Sequence, residues 1–179
     1  MNTFQFSYCN DGPSDCFSKS FSLNYNYYES YQADGQQSGA YIFRPSQRTL
    51  SGSIAYDSAI SGKVFIGKNL LQIQLYGAKT ITSIRIYNDM TNGIEVQTFV
   101  DSINVADGQG KEIVMVVQVP NMNTNKTFYT DSMGMEMQKR ILNYRPTWNL
   151  QVTQPVSGNY YPVQSTIYIE DTTNNETLA

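Results

Sequence analysis

The segment from Phe17 to Tyr27 alternates between large apolar and small polar residues, and this period of two constrains the fold more than any other feature of the sequence. Apart from Lys19, the odd positions carry Phe17, Phe21, Leu23, Tyr25 and Tyr27. The even positions carry Ser18, Ser20, Ser22, Asn24 and Asn26. Since successive side chains of a strand point to opposite faces, the pattern predicts a β-strand with one apolar face.

The same alternation recurs further along the chain. Three later runs show it, namely Leu71, Ile73 and Leu75, then Ile84 and Ile86, then Ile94, Val96 and Thr98. Asn92-Gly93 separates the last two runs and favours a tight hairpin turn, because both residues tolerate a positive φ. No long stretch has the apolar spacing of an amphipathic helix. We therefore predict an all-β fold, built as an antiparallel β-sandwich.

Two segments depart from alternation. Residues 113–119 are almost continuously apolar, which predicts a strand buried on both faces, and Pro120 ends it because proline lacks a ladder donor. Residues 135–142 are compatible with one or two helical turns.

Composition excludes several classes of function. The net charge is −3 and no basic cluster could track a phosphate backbone, so we expect no nucleic-acid partner. The chain has no histidine, which excludes a Ser-His or Cys-His nucleophile pair and removes the commonest zinc ligand. No apolar stretch is long enough for a membrane span, and the first residues do not resemble a targeting signal.

Two pairs of residues are candidates for covalent modification. Cys9 and Cys16 enclose a turn-rich stretch, so their sulfurs could form a disulfide or remain two free thiols. Asn125-Lys126-Thr127 and Asn175-Glu176-Thr177 are sequons for N-glycosylation, or chance products of an Asn- and Thr-rich composition.

Four segments are more specific than any alternating pattern. They are SGAYIFRP at 38–45, FYTDS at 128–132, YRPTW at 144–148 and GNYYPV at 158–163. In order and spacing they resemble the start of the C-terminal β-sandwich region of lysosomal-type α-mannosidases, glycoside hydrolase family thirty-eight. The resemblance extends roughly over residues 21–171 and is loosest between 46 and 106.

The resemblance implies part of a larger enzyme. Members of that family hydrolyse terminal α-linked mannose with retention, and their zinc and catalytic Asp residues lie in an N-terminal barrel that this sequence does not match. It implies a supersandwich, galactose-mutarotase-like fold, incomplete at the C-terminus, over residues 17–179, preceded by an extension over 1–16. It further implies a lysosomal or secreted location, and mannose-containing glycans and the catalytic barrel as partners. We expect no cofactor and no activity in this chain alone.

The carboxylates of the chain support that expectation. A retaining glycosidase needs two carboxyl groups about 5–5.5 Å apart. Asp131 with Glu136, and Glu170 with Asp171, are the nearest pairs in sequence, but in a regular strand each pair is divided between opposite faces. We interpret all four as solvated strand or turn carboxylates and assign no catalytic residue.

Tyr41 is the one residue to which the resemblance gives a substrate-binding role. In the family, the tyrosine of the SGAY motif reaches into the sugar pocket of the barrel. We therefore expect an accessory β-domain that completes a mannose pocket. The alternatives are a free-standing carbohydrate-binding module and a non-functional gene fragment.

Overall fold

The computed structural model describes residues 2–9, 16–33, 35–49, 51–88 and 93–179. It contains twelve strands, which are β1 Asn2–Cys9, β2 Cys16–Glu29, β3 Ile54–Asp57, β4 Ala59–Ile66, β5 Leu70–Gly77, β6 Thr80–Tyr87, β7 Glu95–Val100, β8 Lys111–Gln118, β9 Thr127–Ser132, β10 Glu136–Ile141, β11 Ile167–Asp171 and β12 Glu176–Leu178. Within these ranges the one helical element is a 3₁₀ turn, Ser157–Asn159. The predicted all-β fold is confirmed.

The chain divides into two compact units. Unit 1 comprises residues 1–28 and 54–119, and unit 2 comprises 29–53 and 120–179. Unit 1 contains two sheets, one made of β1, β2, β3 and β8 and the other an antiparallel meander of β4, β5, β6 and β7. Unit 2 contains one antiparallel sheet in the order β10-β9-β11-β12.

The alternation of β2 becomes the core of unit 1. Leu23 and Tyr25 are buried, as the pattern predicts, and Ile84 of β6 is buried with them. The hydroxyl of Tyr25 hydrogen-bonds with Thr82 Oγ1 at 2.8 Å and Thr98 Oγ1 at 2.5 Å. Because Thr82 and Thr98 belong to β6 and β7, these bonds join the two sheets of unit 1 face to face as a sandwich.

Two local predictions are wrong. Residues 136–141 form strand β10 instead of a helical turn, because they pair antiparallel with the whole of β9. Strand β8 is not buried on both faces, since Met115 and Val117 are about half exposed while Val114 and Val116 are more covered. The sheet that contains β8 is therefore covered on one side at these positions.

The hairpin between β6 and β7 is present as an antiparallel pair from Thr80↔Val100 to Arg85↔Glu95. The residues of its predicted turn at 89–92 lie outside the described residues. Across the described ranges, no helix has the length and apolarity that crossing a membrane requires.

Candidate functional site

Tyr41 lies at the tip of a two-residue turn in unit 2. The N–H of Gly39 donates to the carbonyl of Ile42 at 3.1 Å, and the N–H of Ile42 donates back to the carbonyl of Gly39 at 3.3 Å. These reciprocal bonds close the turn and leave Ala40 and Tyr41 at its end. Tyr41 is 100% exposed, the highest exposure among the large hydrophobic residues of the described chain.

A hydroxyl clamp holds the base of this turn. The Oγ of Ser38 donates to the carbonyl of Arg44 at 2.5 Å and accepts from the N–H of Arg44 at 3.0 Å. The N–H of Tyr31 donates to the same Arg44 carbonyl at 2.9 Å, and the N–H of Ser38 donates to the carbonyl of Tyr31 at 3.0 Å. The first and seventh residues of SGAYIFR are thus locked together, so the turn between them has a defined direction.

The side chain of Arg44 strengthens the clamp. Its guanidinium lies over the ring of Tyr31, 4.1 Å from the ring centroid, and its Nη1 donates to the carbonyl of Gln36. A cation over an aromatic face adds to the hydrogen bonds that already hold both residues. Pro45, which is buried, follows and forms an isolated bridge with Ser30.

The other segments that carried the resemblance lie beside the turn or beside each other. The ring of Phe43 contacts that of Tyr160, at 5.2 Å between centroids. Asn159 accepts from the N–H of Asn143 through Oδ1, and its Nδ2 donates to Asn143 Oδ1, both at 2.8 Å. This amide pair fastens GNYYPV to the residue before YRPTW. Sequence analysis missed it, because Asn143 and Asn159 are sixteen residues apart and carry no local signal.

The expectation that the four carboxylates are solvated is wrong for two of them. Asp131 and Asp171 are buried, whereas Glu136 is exposed and Glu170 is partly covered. Asp171 accepts from the N–H groups of Asn123, Thr173 and Asn174, and the hydrogen bond from Asn123 is the largest cause that lowers its pKa. Glu170 accepts from the hydroxyl of Tyr129 at 2.8 Å.

Asp131, the aspartate of FYTDS, is a structural anchor. It accepts from the N–H of Gln164 at 2.8 Å, from the N–H and hydroxyl of Ser165 at 3.1 and 3.0 Å, and from the N–H of Gly134 at 3.0 Å. The hydrogen bond from Gln164, against an opposing effect of desolvation and with help from Ser165 and Gly134, lowers the pKa of Asp131 to about 2. Because its oxygens are occupied by the chain itself, Asp131 is poorly suited to act as a nucleophile or acid.

The candidate modification sites differ in what the structure describes. The backbones of Cys9 and Cys16 are directly opposite each other in the β1–β2 register. Their side chains lie outside the described residues, so the disulfide stays a prediction. Asn125 and Asn175 are exposed turn residues.

Candidate metal ligands are dispersed in the described part of the chain. The chain has no histidine, and no three Cys, Asp or Glu side chains come together in the part of the chain that the structure describes. We therefore assign no step through zinc to this chain.

Comparison with known proteins decides the family. The model of the glycosyl hydrolases family 38 C-terminal domain matches residues 14–178. The chain belongs to this family. The match includes the Tyr41 turn, the Ser38–Arg44 clamp and all of the described sheet of unit 2.

Several α-mannosidases are similar to this member of family 38. The lysosomal alpha-mannosidase of Dictyostelium discoideum is 42% identical over 138 residues, which is 76% of this chain and 13% of the relative. The alpha-mannosidase of Canavalia ensiformis is 37% identical over 152 residues, 83% of this chain and 15% of the relative. The lysosomal alpha-mannosidase of Homo sapiens is 38% identical over 136 residues, which is 76% of this chain and 13% of the relative. The chain thus spans about one seventh of the length of these relatives.

Proposed function

We propose that this chain is the accessory β-domain of a retaining α-mannosidase, and that the hydroxyl of Tyr41 completes the sugar pocket of the catalytic domain. The observation that carries the proposal is the exposure of Tyr41 at the tip of a turn whose base is fixed by Ser38 and Arg44. A fully exposed aromatic ring on such an organised support is accessible to a partner outside its own unit. The family and the names of the relatives supply the reaction, hydrolysis of α-linked mannose.

The chemistry of Tyr41 suits a positioning role. A phenol both donates and accepts hydrogen bonds, so it can bond a sugar hydroxyl in either sense. A bond that is stronger in the transition state than in the ground state raises kcat, whereas one of equal strength in both only lowers KM. In the proposed enzyme the zinc ion and the catalytic carboxylates belong to the catalytic domain, where the metal would bind and polarise the sugar.

The test is Tyr41→Phe in the full-length enzyme that contains this domain. Loss of one hydroxyl bonded to the transition state should lower kcat/KM on the order of 1–3 kcal/mol, roughly 5- to 150-fold, with an unchanged melting temperature. Tyr144→Phe is the matched control, because Tyr144 is also an exposed tyrosine of unit 2. Unchanged kcat/KM in Tyr41→Phe, with stability retained, places Tyr41 outside the pocket.

We also propose that the protein works in an acidic lysosomal or secretory compartment. The lysosomal names of several relatives support this location.

A second candidate function is a carbohydrate-binding module without catalysis. Exposed aromatic side chains favour it, since the apolar faces of sugars stack on rings, and Tyr144, Trp148 and Tyr160 are all more than half exposed. Isothermal titration of the isolated chain with an α-mannoside discriminates the two. Saturable binding that is unchanged in Tyr41→Phe favours the carbohydrate-binding module. No detectable binding by the isolated chain favours the accessory domain.

A further inference from the structure

Two turns of unit 2 that each contain a sequon are held side by side by one buried carboxylate. Asn125 lies in the segment before β9, and Asn175 lies in the turn between β11 and β12. Asp171, which is 0% exposed, accepts from the N–H of Asn123 at 2.8 Å through Oδ2. Its Oδ1 accepts from the N–H groups of Thr173 and Asn174 at 3.0 and 3.1 Å. The same residue thus orders both turns, so the two sequons lie at the same end of the sheet, which we call the sequon edge of unit 2.

Both acceptor asparagines project from this edge. Asn125 has φ 49° and its neighbour Lys126 φ 60°, while Asn175 has φ 53°. Asparagine is among the few residues that adopt this left-handed conformation readily, which is why it is frequent at tight turns. All three residues are exposed. Among the described residues, the side-chain amides of Asn125 and Asn175 make no hydrogen bond, so a substituent on either nitrogen would displace no contact of the fold.

We propose that Asn125 and Asn175 both carry N-linked glycans, and that this edge of unit 2 faces solvent in the mature protein. The inference rests on the proposed passage through the secretory pathway, where the sugar donor is an oligosaccharide linked to a lipid pyrophosphate. The amide Nδ2 forms a bond to the anomeric carbon of the oligosaccharide, while the bond from that carbon to the pyrophosphate oxygen breaks. The pyrophosphate leaves with the electron pair and the amide gives up one proton, so nothing is oxidised or reduced.

Thr127 and Thr177 supply the hydroxyls that the sequon requires. Thr127 begins β9 and its Oγ1 donates to the carbonyl of Asn125 at 3.4 Å, whereas Thr177 lies exposed in β12. Two bulky, hydrated glycans on neighbouring turns would exclude a protein partner from this edge. The catalytic domain of the proposed enzyme therefore docks on another part of unit 2, which is compatible with contact through the Tyr41 turn.

In the experiment, cultured animal cells express and secrete the whole chain fused to a cleavable N-terminal signal peptide. Mass spectrometry after N-glycosidase treatment then maps the modification of both asparagines. The glycosidase converts a glycosylated Asn to Asp, so occupied sites are read directly. Asn125→Gln and Thr127→Val should each remove the first glycan, and Asn175→Gln and Thr177→Val the second. Lys126→Gln and Glu176→Gln are the matched controls, because they change the middle residue and keep each sequon.

The proposal is wrong if both asparagines remain unmodified, whether the chain is secreted or retained in the cells. If only one asparagine is modified, the proposal is wrong for the unmodified one. In the full-length enzyme, Asn125→Gln with Asn175→Gln should leave kcat/KM unchanged, because neither residue belongs to the pocket. A fall in kcat/KM would overturn the assignment of a solvent-facing edge. Mapping does not depend on activity, so its failure is distinguishable from a failure of the Tyr41→Phe test.

Discussion

Asp131 shows how a single residue fixes the arrangement of two distant segments. It receives three N–H groups and one hydroxyl from the β9–β10 turn and from residues 164 and 165. Hydrogen bonds to the ionised form favour that form, which is why the pKa is about 2 against an ordinary value of 3.8. A lowered pKa in the folded state means that this carboxylate stabilises the fold above pH 3.8 and loses its contribution as the pH falls through about 2.

Asp131→Asn should therefore lower the melting temperature at neutral pH, because the amide replaces one acceptor oxygen by a donor that faces N–H groups. The difference in melting temperature between Asp131→Asn and the unsubstituted chain should become smaller as the pH falls from 4 toward about 2. Thermal denaturation followed by circular dichroism across this range is the measurement. Glu136→Gln, which changes an exposed carboxylate on the neighbouring strand, should have little effect. A constant difference at every pH would show that the charge of Asp131 does not contribute.

The burial of Asp131 and Asp171 could not be predicted from the sequence. Alternation assigns a side chain to a face of a strand, but it does not reveal which loop will cover that face. The covering groups for Asp131 come from Gln164 and Ser165, more than thirty residues later, and for Asp171 from Asn123, 48 residues earlier. The sequence singled out Asp131 through the FYTDS resemblance and through its closeness to Glu136, and neither indicated that its carboxylate is buried.

Among the elements, β4 is an edge strand with exposed apolar side chains. It pairs with β5 along its length, and no other described strand pairs with its second edge. Ile60, Val64 and Ile66 are largely exposed, and Ile66 reaches 84%. An edge that combines unpaired backbone groups with apolar side chains is a template for pairing with another chain.

We expect the isolated chain to self-associate through this edge, and Ile66→Lys to reduce that association. A charge at an edge opposes strand addition, while loss of an exposed apolar side chain has little effect on folding. Sedimentation velocity over a concentration series measures the change. Met135→Lys is the control, since Met135 is equally exposed but lies in the β9–β10 turn. A monomer at all concentrations, with cooperative melting, would contradict the prediction.

The strands were predictable where apolar residues recur every second position. This held for β2, β5, β6 and β7, each of which forms where the alternation predicts a strand. It failed for β10, because its apolar and charged residues follow no clear period and pairing with β9 decides its structure. Prediction also failed for the clamp below Tyr41. Ser38 hydrogen-bonds with the backbone of Arg44, and a sequence pattern does not indicate which backbone group a side chain will contact.

On the scale of the whole molecule, three of the described carboxylates are engaged in hydrogen bonds within the fold. Asp131 and Asp171 are bonded to backbone N–H groups, and Glu170 to Tyr129. We therefore expect the isolated chain neither to cleave an aryl α-mannoside nor to bind stoichiometric zinc. Release of the aryl group and metal analysis after dialysis are the measurements. Turnover that persists through repurification, or one bound zinc ion per chain, would contradict this prediction.

The clamped turn also affects the entropy of association. A loop that becomes ordered only in a complex loses backbone freedom at that moment, at about 1–2 kcal/mol per residue. The reciprocal bonds of Gly39 with Ile42 and of Ser38 with Arg44 already order this segment during folding. Only the two side-chain torsions of Tyr41 remain to be restricted when a partner receives the ring. In the proposed pocket, the binding energy of that contact is therefore available for the sugar, because little of it is needed to order the protein.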